Sequence, residues 1–244
     1  MKLTILGKYG PFPKAEGGTS SYLLEGENTK ILFDVGTGSL SSLEKYAKVE
    51  ELDGIILSHS HYDHVSDLGV YHYRYENLSR SGKAFKKPVV AFYNDGSPSL
   101  YIAETSPYFD REQLEDGKKL LLGEFEIEVF EMKHPVKSFG FKLTDGKKTF
   151  AYTGDTNVCV NLEKLAFGVD ALLADGAFLY KDWAENKPHL SAKHVCEIAL
   201  KIGCKAIISH LIPNYNEEEY LSEIKSCGVE SNVFLAAEGK TYTI

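Results

Sequence analysis

The sequence predicts a mixed α/β layer fold, sheets inside and helices outside, on three observations. Short β-type runs recur along the whole chain. Several are continuous apolar stretches, as in strands covered on both faces. Helix-period patterns are interleaved with them, which argues for layers of both kinds. The expected strands cover 2–6, 19–25, 30–34, 54–58, 89–93, 124–130, 138–143, 148–152, 171–174, 206–209 and 233–235. Hairpin-like turns lie around Gly26-Glu27-Asn28 and Asp145-Gly146. The expected helices cover 39–47, 67–78, 161–167, 191–202 and 217–226. The fourth opens on a Ser191 cap, and the fifth carries acids in its first turn and stops before Gly228. No repeat or Pro/Ser-rich linker divides the chain, so a single domain over 1–244 is expected. Residues 79–119 are polar and tyrosine-rich and give the weakest pattern.

Composition narrows the function classes. The chain has 244 residues, 43% hydrophobic and 25% charged, enough for a sizeable core without disulfides. A net charge of −8 argues against a nucleic-acid polymer as partner, because phosphate binding rests on Lys and Arg. Cysteines 159, 196, 204 and 227 form no CxxC pair, which suits free thiols in a reducing cytosol. The start shows no signal-type apolar region, and no apolar run approaches the roughly 20 residues of a membrane span. A cytoplasmic protein without a membrane partner is expected. Charge runs such as Lys86-Lys87 and Glu217–Glu219 read as solvated faces.

The informative residues stand at the ends of the buried strands. Ile31-Leu32-Phe33 ends in Asp34, and the 54–58 run leads into His59-Ser60-His61-Tyr62-Asp63-His64. The 124–130 run leads to His134, the 148–152 run to Asp155, and the 206–209 run to His210. Five strands thus deliver imidazole or carboxylate at the sheet edge where α/β proteins bind ligands. Three histidines and an aspartate within six residues can serve two ions from one loop, and imidazole with carboxylate suits Zn²⁺, with Mn²⁺ or Fe²⁺ as alternatives. A lone histidine past a strand is usually structural; the shared placement of His134, Asp155 and His210 is what groups them with the cluster.

On these motifs the sequence resembles the metallo-β-lactamase-fold hydrolase superfamily over essentially its whole length. The resemblance implies a four-layer αββα sandwich holding two metals, Zn²⁺ first, at one sheet edge. It implies His59, His61 and His134 on one metal, Asp63, His64 and His210 on the other, and Asp155 on both. Asp34 would be a supporting residue that orients ligands. Iron redox members commonly carry Glu where His61 stands, glyoxalase II types add a C-terminal helical domain, and β-lactamases usually lack the His64 equivalent. None of the three fits.

Tyr152-Thr153-Gly154-Asp155-Thr156 and His189-Leu190-Ser191 resemble motifs of the ribonuclease Z branch. There the histidine helps protonate the leaving group and is held by an acid, for which Asp175 is placed. The branch more often has Glu at that position. The arm that grips transfer RNA is inserted between the third and fourth motifs, and only 20 residues separate His134 from Asp155 here. The expected function is therefore hydrolysis of small phosphodiesters by a hydroxide held between two metals, with Asp63, His189 and Asp175 in catalytic roles. The alternatives are carboxyl-ester, thioester or lactone hydrolysis, with a transfer-RNA 3′ endonuclease or a non-catalytic metal binder behind them. The expected partner is a small-molecule substrate, with a homodimer left open. His72 is read as packing and His194 as exposed, while Arg74, Lys83 and the tyrosines at 71–75 and 101–108 are candidates for the pocket mouth.

Overall fold

In the computed structural model, which describes residues 1–244, fourteen strands form two seven-stranded sheets. The elements in chain order are β1 (Lys2–Gly7), β2 (Ser21–Glu25), β3 (Lys30–Phe33), α1 (Ser39–Leu43), β4 (Gly54–Ile56), α2 (Tyr62–Val65), α3 (Leu68–Arg80), β5 (Val89–Phe92), α4 (Tyr101–Thr105), β6 (Asp110–Gln113), β7 (Lys119–Leu122), β8 (Phe125–Met132), β9 (Ser138–Thr144), β10 (Thr149–Tyr152), α5 (Val160–Ala166), β11 (Ala171–Asp175), α6 (Ala192–Ile202), β12 (Lys205–Ser209), α7 (Glu217–Ser226), β13 (Val233–Leu235) and β14 (Thr241–Thr243). One sheet runs β14-β1-β2-β3-β4-β5-β6 and the other β13-β12-β11-β10-β9-β8-β7. In each, antiparallel hairpins pass into parallel strands, β3 to β6 in the first and β10 to β13 in the second. Both anticipated turns are hairpins, β2–β3 and β9–β10.

The inner faces of the sheets pack on each other through an aromatic layer. Phe33 of one sheet meets Phe141, Phe150 and Tyr152 of the other at ring centroids 5.6–6.2 Å apart. The outer face of the first sheet is covered by α1 and α3 through Leu43, Tyr71, Tyr75 and Leu78. That of the second is covered by α5, α6 and α7 through Leu165, Val195, Ala199 and Ile224. The result is the four-layer αββα sandwich, and burial on both sides explains why the central strands read as unbroken apolar runs.

Three strands escape the sequence pattern, and each lies at a sheet edge. β6 is Asp-Arg-Glu-Gln, β14 is Thr-Tyr-Thr, and β7 alternates exposed and half-buried residues. An edge strand needs only one hydrogen-bonding neighbour and profits from charge on its free side, which leaves β6 and β14 without an apolar signature. The Leu120–Leu122 run of β7 is short and directly follows the polar stretch that gives the weakest pattern. The acidic run at 217–219 is also more than a solvated face. Glu217 pairs with the buried Lys8 ammonium at 2.6 Å, and Glu219 caps α7 reciprocally with Asn216.

Candidate metal centre

Parallel strands in both sheets end on the same side, and their C-terminal loops converge. From β4 come His59, His61, Asp63 and His64; from β8, His134; from β10, Asp155; from β11, Asp175; and from β12, His210. Potential ligand atoms of His59, His61, His134 and Asp155 lie within 4.8 Å of one another, and so do those of Asp63, His64 and His210. The Oδ2 atom of Asp155 stands between the groups, 3.2–3.9 Å from ring nitrogens of His59, His64, His134 and His210. Two residues reach this edge only through a strained backbone: Asp34 and His210 adopt left-handed φ values of 54° and 59°. For non-glycine residues that conformation costs energy and clusters at functional sites.

The donor set fits metal ions on its own geometry. His61 Nδ1 lies 3.0 Å from His59 Nε2 and 3.2 Å from His134 Nε2. One ring proton cannot satisfy both contacts, so nitrogen lone pairs converge where a cation belongs. The fully buried His64 Nε2 has no hydrogen-bond partner and faces Asp63 and Asp155 at 3.5 and 3.3 Å. An unpartnered buried ring nitrogen that faces two carboxylates suits a cation bound between them.

Electrostatics agree with that arrangement. Burial drives the pKa values of His59, His61 and His134 down, leaving neutral imidazoles able to ligate. Burial opposes charge on His64 as well, but Asp155, Asp63 and Asp34 outweigh it and hold its pKa well above the ordinary value. Burial works against ionising Asp63 and Asp155 too; the surrounding imidazoles more than offset it, so both stay ionised far below the usual carboxylate range.

A model of the β-lactamase superfamily domain matches residues 29–211. The chain belongs to this superfamily. It is 26% identical to the probable metallo-hydrolase YhfI of Bacillus subtilis, over 98% of each chain. It superposes on the YhfI crystal structure with a TM-score of 0.90 over 99% of each chain at 25% identity. It is 31% identical to the uncharacterized protein Rv1339 of Mycobacterium tuberculosis, over 93% of this chain and 86% of that one. It is 23% identical to ribonuclease Z of Archaeoglobus fulgidus, over 89% of each chain. That alignment spans 288 positions, more than this chain contains, so the ribonuclease carries inserted residues. This superfamily member is thus a metal-dependent hydrolase related to the ribonuclease Z branch, and its β9–β10 hairpin leaves no room for an arm between His134 and Asp155.

Around the cage lies a shell of supporting residues, only part of which sequence reasoning reaches. Asp34, wholly buried, accepts from the Ser58 amide (2.7 Å) and hydroxyl (2.8 Å), from His64 Nδ1 (2.8 Å) and from the Tyr152 hydroxyl (2.6 Å). These bonds fix the His64 ring with Nε2 turned into the cage. Tyr152 and Ser58 carry no metal-ligating chemistry, which is why their roles are not legible in residue type. A Cβ on Gly10 would stand 2.1 Å from the His210 ring, so only glycine fits there.

His189 sits beside the second group, its ring stacked on His210 at 4.7 Å. Its Nδ1 donates to Asp175 Oδ2 at 2.8 Å. Burial disfavours its charged form, but Asp175 and Asp155 outweigh burial and raise the pKa to about 9. Three bonds pin the loop that carries it: Trp183 Nε1 donates to the His189 carbonyl (3.0 Å), His134 Nδ1 to the Pro188 carbonyl (3.2 Å), and the buried Asn157 amide to the Lys187 carbonyl (2.5 Å). Sequence reasoning reaches neither Trp183 nor Asn157, because an amide or indole that bonds only to main chain leaves no pattern in sequence.

The remaining candidates lie elsewhere. His72 is half-buried, bonded to the Ser106 hydroxyl at 2.9 Å and packed on Tyr108. His194, expected to be exposed, is half-buried instead: its Nδ1 meets the Ser191 hydroxyl at 2.8 Å to cap α6, and Trp183 packs on it. Arg74 is engaged by Glu44 and Glu50 at 3.3 and 3.5 Å. Tyr71 and Tyr75 are core residues. Lys83 is exposed in the turn after α3. No helix is long and apolar enough to cross a membrane.

Proposed function

We propose that this superfamily member hydrolyses small phosphodiesters, of the nucleotide or cyclic phosphate type, at a centre of two Zn²⁺ ions. His59, His61 and His134 would hold one ion and Asp63, His64 and His210 the other, with Asp155 reaching both. Five imidazoles and two carboxylates suit zinc, with Mn²⁺ or Fe²⁺ as alternatives. The ions would supply Lewis acidity for the phosphoryl group and an acidified nucleophile.

The observation that carries this reading is the 2.8 Å His189–Asp175 pair beside the cage. With Nδ1 committed to the carboxylate, the Nε2–H faces outward as the mobile proton. A pKa raised to about 9 keeps the ring charged at neutral pH. A charged imidazole is suited to protonate a departing alkoxide, the poor leaving group of a biological phosphodiester. Asp175 orients and stabilises that charge, and Asp63, held ionised, is placed to orient the nucleophile. A short β9–β10 hairpin and a net charge of −8 favour a small substrate over a polynucleotide.

The test is metal analysis of the zinc-loaded protein followed by a panel of bis-p-nitrophenyl phosphate, p-nitrophenyl acetate and a homoserine lactone. Two ions per chain and turnover highest on the diester are expected. Faster turnover of the ester or lactone would overturn the phosphodiester assignment in favour of acyl chemistry at the same centre.

A further inference from the structure

The loop that delivers His189 presents two features outside the cage that the reaction does not use. The Lys187 ammonium lies 5.3 Å from the centre of the Phe178 ring, and that ring lies 6.0 Å from the ring of His189. Lysine over an aromatic face is a favourable arrangement, yet a weak one at an exposed position. No carboxylate pairs with this ammonium within 4.0 Å, as for Lys133 beside His134, whereas Lys8, Lys137 and His189 have acidic partners. Glu185, two residues earlier, makes no ion pair with it.

The backbone of both residues is tied down, while the Lys187 side chain is exposed. The Phe178 amide donates to the Leu190 carbonyl at 3.1 Å, and its carbonyl accepts from the Ala192 amide at 2.9 Å, so its backbone is locked to the strip just after His189. The Lys187 carbonyl is clamped by Asn157 at 2.5 Å, and the same amide takes the Glu185 carbonyl at 3.1 Å. Asn157 is itself bonded through its backbone amide to Lys133, next to His134. An unpaired cation on an exposed side chain and a half-buried aromatic ring thus lie beside His189.

We propose that Phe178 and Lys187 form a leaving-group subsite for a planar leaving group that itself carries a negative charge. The ring would stack on the planar part and the ammonium would pair with the charge. This rests on the reading of His189 as the proton donor, since that places the leaving group on this side. It narrows the substrate to diesters whose departing half is anionic in its own right.

Two experiments on the zinc-loaded full chain separate the subsite from the reaction. The first is calorimetric binding of 4-carboxyphenylphosphonate and its neutral counterpart 4-carbamoylphenylphosphonate, which needs no turnover. The wild type is expected to bind the carboxylate ligand about tenfold more tightly, Lys187→Gln to abolish that difference, and Lys187→Arg to keep it. Equal affinities in the wild type, or a preference that survives Lys187→Gln, would overturn the proposal. The second is turnover of the matching methyl aryl phosphodiesters. Lys187→Gln is expected to raise KM about tenfold for the carboxylate-bearing diester, with kcat unchanged and the neutral diester unaffected. A loss shared equally by both diesters would mean that Lys187 does not read charge. If neither diester turns over while the binding difference stands, the phosphodiester reading fails and the subsite survives.

Discussion

His59, His61 and His134 meet as three imidazoles that burial keeps neutral, whereas Asp63, His64 and His210 meet around carboxylates that favour positive charge at His64. The supports differ in the same way. The first group is held from outside at His134, by the Pro188 contact and the pinned loop behind it, and touches the Asp34 network only at second hand, through the Ser58 hydroxyl 3.0 Å from His59 Nδ1. The second is held from beneath, by the Asp34 network at the ends of β3, β4 and β10. One half is prepared for metal by desolvation and the other by charge, and Asp155 Oδ2 lies within 3.9 Å of ring nitrogens from both. The halves should therefore fail under different perturbations.

The broadest break is Asp155→Ala, which removes the shared oxygen. Both ions are expected to be lost on dialysis, and turnover to fall on the order of 10³-fold or more, since a positioned metal supplies several kcal/mol. Elemental analysis with a diester assay checks this; retention of either ion at full affinity would show that the halves do not share Asp155. Asp34→Asn should separate them. It removes charge from the direct partner of His64 and reaches His59 only through the Ser58 hydroxyl, so affinity for one ion is expected to drop about 10–100-fold and that for the other clearly less, as for supporting residues of metal ligands generally. Competition with a graded chelator measures the two affinities, and a parallel drop in both would contradict the division.

Tyr152→Phe removes one of four donors to Asp34 and should act in the same direction with a smaller effect. A hydrogen bond to a charged group is worth about 1.5–3 kcal/mol at most, and three donors remain. The expected change is severalfold in the same affinity.

A subtler expectation concerns pH in the chelated protein. His189 should titrate near pH 9 by NMR, and Asp175→Asn should bring it down because the first carboxylate that offsets burial is gone. Its folded value exceeds the ordinary 6.5. The pair therefore stabilises the fold fully below about pH 6.5, and that stabilisation fades as pH rises through about 9. An unmoved titration in Asp175→Asn would assign the shift elsewhere.

The same contrast explains what the sequence discloses. The central strands and the cage residues are legible because burial on two faces leaves apolar runs and because metal chemistry needs His and Asp at strand ends. The edge strands β6, β7 and β14 are not, since one hydrogen-bonded neighbour demands no particular composition. The left-handed backbone at Asp34 and His210 is invisible in residue type, as is the requirement for Gly10 beneath the His210 ring. Tyr152, Trp183 and Asn157 act through hydrogen bonds to other parts of the shell, and only the folded chain reveals their partners. His194 illustrates the converse: a helix-start histidine reads as solvated, and the cap it makes with Ser191 half-buries it.

The most direct test of the account is His189→Ala on zinc-loaded protein, assayed for metal and for two diesters that differ in leaving group. Two ions per chain should remain, while turnover with an alkyl leaving group falls about 10²–10⁴-fold, the range of a positioned general acid. Bis-p-nitrophenyl phosphate, whose leaving group needs no proton, should lose far less. An equal loss on both substrates, or undiminished turnover of the alkyl diester, would contradict the proton-donor role at the centre of the account.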